Sequence, residues 1–286
     1  MSAAEPVELQ WTVNGLKIAG LGWGSPGARP VLALHGWLDN AASFAVLAPL
    51  LRGWQVVALD LTGQGRSDYR SADSGYQIWE DLPEVLGVLE ALGWSEFDLI
   101  GHSRGAVIAT LLASTHPECV RHLVMLDALV TRPVEERAFV LQLRDFLADK
   151  PRLLGSCNPV FPTAQAAVAS RTRADLGQAA AELIALRNLR SCDGGYTWRS
   201  DPRLRGASSV KMTAVQQRAV LEALSMPCLL MLAERGRRAH AREAKLAREY
   251  IADLTLEWVP GGHHFHMEHS APEIAQRIGQ FFTEED

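Results

Sequence analysis

One serine in this chain sits where a nucleophile would. Phe97-Asp98-Leu99-Ile100-Gly101-His102-Ser103-Arg104-Gly105-Ala106 is a short apolar run ending in Gly-x-Ser-x-Gly, with an Ala/Val/Ile/Leu-rich segment directly after it. The pattern reads as a buried strand turning sharply into a buried helix, with Ser103 at the apex. Gly101 and Gly105 remove the side chains that would block so tight a turn, and the apex residue is held strained with its hydroxyl pointing out of the fold. A helix-start position also aims backbone N–H groups at negative charge developing nearby.

A serine hydroxyl needs a base to take its proton, usually a histidine oriented by a carboxylate. That histidine is expected on a loop at the end of a late strand. Gly261-Gly262-His263-His264-Phe265-His266-Met267-Glu268-His269 directly follows the strand-like Thr255–Val259. His263, behind the glycine pair, is the expected base, with His264 and His266 as the alternatives. A metal reading of His263-x-x-His266 is weak, because no second cluster supplies ligands and the spacing is not that of H-E-x-x-H. Acyl transfer also needs two donors for the oxyanion of its tetrahedral intermediate. The backbone N–H of Arg104 is one. The N–H of Trp37, in His35-Gly36-Trp37-Leu38, is the other, and His35 is expected to brace that loop.

These residues need a frame that holds strand ends together. Val7–Trp11 and Leu16–Trp23 read as strands joined at Asn14-Gly15, a hairpin signal. Pro30–Leu34, Gln55–Leu59, Phe97–Ile100, His122–Leu126, Cys228–Ala233 and Thr255–Val259 read as buried strands. Ser43–Leu51, Ile78–Leu92, Arg104–Thr115, Thr213–Leu224 and His240–Ile251 read as helices, and a last one starts at the capping box Ser270-Ala-Pro-Glu273 and runs to Phe282. The alternation implies an α/β fold with a parallel, mostly buried sheet and an antiparallel edge. Between 130 and 209 it stops. Helical segments at Val134–Asp149 and Ala164–Leu189, punctuated by Pro151, Pro159, Pro162 and Cys192-Asp193-Gly194-Gly195, read as an all-helical insertion. The expected division is a core at 1–129, an inserted cap at 130–209 and a core again at 210–286.

The 286 residues are 48% hydrophobic, enough for one large α/β domain with an elaboration, or for two modest domains. A net charge of −5 argues against nucleic acid or an anionic membrane as partner. Four scattered cysteines suggest neither a disulfide framework nor a zinc site. No secretory signal or bilayer-length apolar run is present, so a cytoplasmic protein acting on a small molecule is expected, as monomer or homodimer. The cap is rich in arginine. A solvated, acid-paired surface is preferred over an anion site there, although the run Trp198–Arg203 could brace the cap hinge.

The order HG…GxSxG…Asp/Glu…His resembles the α/β-hydrolase superfamily. HGWLDNAASF (35–44), DLTGQGRSD (60–68), GHSRG (101–105) and GGHHFHME (261–268) carry the resemblance across the core, and it is most similar to serine hydrolase-like proteins. The resemblance implies an eight-stranded sheet with helices on both faces, a helical cap over the site, and hydrolysis without a cofactor. It also implies a structural duty for Asp60 and Asp68. Relatives commonly place the acid just past the strand ending at Ala233, where this chain has Gly236. Asp127, at the end of His122–Leu126, matches the site used by haloalkane dehalogenases and some lipases. It is preferred over Glu234, and a Ser–His dyad or an inactive triad is the third possibility. The expected activity is hydrolysis of a carboxylic ester or related acyl compound; C–C, thioester and lactone cleavage and perhydrolysis fit the same Ser–His pair. A non-catalytic ligand-binding protein is the rival.

Overall fold

The Asn14-Gly15 pair makes the turn its sequence predicts. Both residues take positive φ, 52° and 77°, and join β1 (Val7–Val13) to β2 (Leu16–Trp23) with Val13 opposite Leu16. Positive φ at both central positions gives a turn whose twist matches the flanking strands. This computed structural model describes residues 5–172, 176–235 and 237–284.

β3 (Arg29–Leu34), β4 (Trp54–Leu59), β5 (Phe97–His102) and β6 (Val120–Leu126) continue the core. Three short strands follow in the insertion, β7 (Val160–Phe161), β8 (Leu189–Cys192) and β9 (Gly195–Trp198), and β10 (Cys228–Ala233) and β11 (Leu254–Val259) return to the core. The eight core strands form one sheet in the order β1-β2-β4-β3-β5-β6-β10-β11. It is antiparallel at the β1/β2 and β2/β4 pairs and parallel elsewhere.

The central parallel strands carry near-continuous apolar runs, at 31–34, 56–59 and 228–233, because both faces are covered there. In β3, Leu32 and Leu34 pack with α1 (Leu82–Leu92) and α2 (Arg104–Thr115), while Val31 and Ala33 face the opposite layer. Among the described residues no helix is long and apolar enough to cross a membrane.

Between β6 and β10 lie α3 (Phe139–Leu154), α4 (Ala164–Thr172) and α5 (Gln178–Asn188), and Val168 of α4 and Ile184 of α5 meet Trp198 and Met267 in a separate small apolar core. This stretch is not all-helical. Cys192-Asp193-Gly194-Gly195, read from sequence as a loop between helices, is a two-residue hairpin turn, and β7, β9 and β8 pair antiparallel around it. Asp-Gly between alternating residues is a hairpin signal that the helical neighbourhood masks. Residues 173–175, inside the expected helix Ala164–Leu189, lie outside the described residues.

Core helices α6 (Ala214–Glu222), α7 (Arg237–Tyr250) and α8 (Ala271–Phe281) complete the layers, with α8 on the face opposite α1 and α2. Two further expectations are corrected. Ser43–Leu51 is not a helix but two 3-10 turns, Ala41–Phe44 and Ala48–Leu50, the first capped by the Asn40 side chain on the Ala42 N–H. The Ser270–Glu273 capping box does not form, because Ser270 Oγ donates instead to the Pro260 carbonyl at 2.9 Å.

Candidate active site

Ser103 follows β5 directly and stands at the N-cap of α2 with φ 52° and ψ −117°, outside the regions that ordinary residues populate. Such a conformation costs about 1–3 kcal/mol and persists where its surroundings hold it. Here the Ser103 N–H donates to the Leu126 carbonyl at 2.9 Å, which anchors the elbow to the end of β6. The flanking glycines are needed for space. A Cβ on Gly105 would sit 2.0 Å from the Leu34 carbonyl oxygen, and one on Gly101 would sit 2.4 Å from the Gly105 carbonyl oxygen.

Asp127 is the residue that follows Leu126, and it too takes positive φ, 57°. Its N–H donates to the Met231 carbonyl, while Oδ1 accepts the Ala233 N–H at 2.7 Å. Oδ2 faces His263 Nδ1 at 2.6 Å. The buried Asp127 and the His263 loop are thus brought together, with Ser103 hung from the same strand end. Burial alone would raise the Asp127 carboxyl, but the hydrogen bonds from His240, His263 and the Ala233 N–H outweigh it and hold the group well below the usual carboxylate range. The carboxylate is therefore ionised. His263 donates through Nδ1, so its Nε2 keeps the lone pair that a base needs, on a side chain 45% exposed.

The alternatives fall elsewhere. Glu234 is exposed, with its N–H bound to the Val259 carbonyl. Gly236 lies outside the described residues. His266 is buried against Ser43 Oγ at 3.0 Å, and His264 Nε2 lies 3.2 Å from Asp39 Oδ2.

Arg104 opens α2, and Trp37 lies in the loop after β3. The Arg104 side chain turns away to Asp81 at 2.6 Å, leaving its main chain at the first turn of α2. In the Trp37 loop, His35 Nε2 accepts the Leu61 N–H and its Nδ1 donates to the Gly36 carbonyl, the bracing role that its position suggested. The Trp37 indole donates to the Leu204 carbonyl of the insertion at 2.9 Å, and Leu38 takes φ 59° with its N–H on the Gln64 side chain. Asp60 and Asp68 have structural partners. Asp60 accepts from the Ala41 and Arg66 N–H groups, and Asp68 accepts from the Lys17 N–H.

Asp39, His102 and His264 bring three possible metal-ligand atoms within 4.8 Å of one another. Both Asp39 oxygens are already engaged, Oδ1 by the Arg171 guanidinium and Oδ2 by His264. The trio reads as a brace beneath the His263 loop, since His102 Nε2 also donates to the His263 carbonyl at 2.8 Å. Sequence reasoning missed this brace and Arg171 of α4, which reaches it. Nothing local marks a pair such as Asp39 and Arg171, far apart in the chain. Arg203 at the cap hinge does hold Asp201, at 2.7 Å, as the polar run suggested.

Burial, with neighbouring histidines adding to it, pushes His102 and His266 well below the usual histidine range, so both stay neutral. An unfolded chain takes those protons near pH 6.5 and the folded one refuses them, so this stability is complete above about pH 6.5 and is lost as pH falls. The depressed Asp39 and Asp127 act in the same sense below about pH 4. His240 is raised by its bond to Asp127 and has the opposite sign. Burial lowers His35 in the same way, so three excluded histidine protons stand against one, and at about 1.4 kcal/mol per proton and pH unit the thermal midpoint is predicted to be about 8 °C lower at pH 5.5 than at pH 7.5. Differential scanning fluorimetry across that range checks it, and a flat or rising midpoint refutes it.

Comparison with known proteins identifies the family and the fold. Residues 29–270 match the alpha/beta hydrolase fold family. A serine hydrolase-like protein of Dictyostelium discoideum is 30% identical over 95% of this chain and 80% of its own length. The crystal structure of a hypothetical protein from Pseudomonas aeruginosa PAO1 is 36% identical with a TM-score of 0.90, covering 97% of this chain and 98% of that one. The thioesterase domain from the curacin biosynthetic pathway is 26% identical with a TM-score of 0.84, over 96% and 99% of the two chains. The chain belongs to the alpha/beta hydrolase fold family, among its serine hydrolase-like members.

Proposed function

We propose that this chain is a serine hydrolase that cleaves a carboxylic ester or a related acyl compound through an acyl-serine intermediate. The observation that carries the reading is the 2.6 Å contact between His263 Nδ1 and the buried, ionised Asp127. It fixes the tautomer whose Nε2 can accept a proton, on a loop beside the strained serine. In the first step Ser103 Oγ attacks the acyl carbon as its proton passes to His263 Nε2. The carbonyl oxygen becomes an oxyanion, which the N–H groups of Arg104 and Trp37 stabilise. The leaving group departs with the proton from His263. Water then repeats the sequence on the acyl-serine, His263 taking its proton, and releases the acid and free Ser103. Epoxide- and haloalkane-type chemistry of this fold needs an aspartate nucleophile, and serine does not replace it.

Likeness to a thioesterase domain at a TM-score of 0.84 favours acyl thioesters as the second substrate class. The enzymatic reading itself is tested with a fluorophosphonate probe. Stoichiometric labelling of the wild type is expected, with complete loss in Ser103→Ala at an unchanged thermal midpoint. Folded wild type that takes up no probe would make the protein a ligand-binding member of the fold instead.

A further inference from the structure

Asp127 serves two imidazoles. His263 takes Oδ2, and His240 of α7 places Nε2 3.1 Å from Oδ1, the oxygen that also accepts the Ala233 N–H. The His240 side chain is 17% exposed, so it is no solvent-facing histidine that happens to lie near an acid. No step of acyl transfer as written above uses it. Two donors on one carboxylate oxygen hold the plane of the group and leave the other oxygen to a single partner.

We propose that His240 is a positioning residue that locks the Asp127 carboxylate for His263 and, by taking up a proton, turns the catalytic pair down as the solution is acidified. The proposal rests on the triad reading above. While His240 is neutral, its Nε2–H donates to Oδ1 and the full carboxylate charge remains to stabilise the imidazolium that forms on His263. When His240 binds a proton at Nδ1, a second cation lies on the same carboxylate. Positive charge on His263 then develops against a like charge held one carboxylate away, in a site where burial weakens screening.

The charged groups that act on His240 are Asp127, beyond the end of β6, and Glu243, one turn along α7. From β10 comes the Ala233 N–H on the shared carboxylate, and from the far side His263 itself. Hydrogen bonding to Asp127 favours the cationic form, burial opposes it, and the charges of Asp127 and Glu243 favour it again, which leaves the group raised. Protonation therefore begins at a higher pH than in a free histidine. His263 must also be neutral to act as a base. Two protons thus inactivate the enzyme on the acid side.

The test uses the full chain, p-nitrophenyl acetate and fluorophosphonate titration of competent sites from pH 5 to 9. In the wild type, log kcat/KM is expected to fall with a slope of two in pH on the acid limb. His240→Ala is expected to lower kcat about tenfold with KM within about twofold. His240→Gln, which keeps a donor but cannot become a cation, should recover kcat to within about threefold and reduce the acid slope to one. The downfield proton resonance of His263 Nδ1–H gives a readout independent of turnover. Its second pH inflection should vanish in His240→Gln. A wild-type slope of one, a slope of two retained in His240→Gln, or unchanged kcat in His240→Ala overturns the proposal. Asp127→Asn is measured alongside. Retained activity there would remove the triad itself, whereas collapse there with unaltered His240 variants would overturn this proposal alone.

Discussion

Asp127→Asn is expected to lower kcat for p-nitrophenyl acetate about ten-thousand-fold while leaving the fold and KM nearly unchanged. The reason lies in how donors are distributed over the carboxylate. Oδ1 receives two, from the Ala233 N–H and His240, and Oδ2 receives one, from His263. An amide has a single oxygen, and it is drawn to the position with two donors. Its NH2 group then faces His263 and needs an acceptor there. His263 must answer with the lone pair on Nδ1, which moves its proton to Nε2 and removes the base from Ser103. Glu234→Gln is the matching comparison, because Glu234 is the exposed alternative acid. Turnover in that variant is expected within about twofold of wild type. A loss below tenfold in Asp127→Asn, or a large loss in Glu234→Gln, would exchange the roles of the two carboxylates.

The parts of this architecture that were legible in the sequence are those governed by local rules. Asn14-Gly15 needs two positive φ values, and only a narrow set of turns offers them. Gly101 and Gly105 stand where a Cβ would strike backbone atoms within five residues or at the neighbouring strand β3. Asp127 was preferred over Glu234 for another reason, the resemblance to relatives that keep their acid at that strand end. The cap hairpin was lost for a different reason. Leu189–Cys192 and Gly195–Trp198 are four residues each, too short for their alternation to compete with the helical periodicity on either side. The expected helix at Ser43–Leu51 failed because Asn40 and Pro49 set up separate tight turns, while apolar spacing alone reads as helical. His240 carried no signal at all. It is a single histidine in a basic segment, and its role depends on an aspartate 113 positions away that only the packing of α7 brings near.

The same dependence on distant partners governs the cap, where Arg187→Leu is expected to lower stability by about 3–5 kcal/mol. Arg187 projects from α5 into the main domain and is 6% exposed. Its Nε lies 3.0 Å from both oxygens of the fully buried Asp60, and its Nη1 bonds Glu8 at 2.8 Å. Removing the guanidinium leaves the Asp60 charge with backbone donors alone, from Ala41 and Arg66. A buried carboxylate stripped of its cation is far more expensive than the pair is favourable, so the loss should exceed what any surface ion pair gives. At roughly 2–4 °C per kcal/mol for a chain of this size, the thermal midpoint falls by about 10 °C. Asp60→Asn in the same background should restore part of that loss, since it removes the orphaned charge while keeping one acceptor. The consequence for activity follows from where the latch is attached. Asp60 opens the loop that also supplies Gln64 to the Leu38 N–H, next to Trp37. A loosened cap therefore disturbs the Trp37 donor, and Arg187→Leu should lose kcat as well as stability, measured at a temperature where it remains folded. Unchanged kcat together with a midpoint shift below about 2 °C would show that the cap is held by its apolar contacts, with Trp37 positioned independently of it.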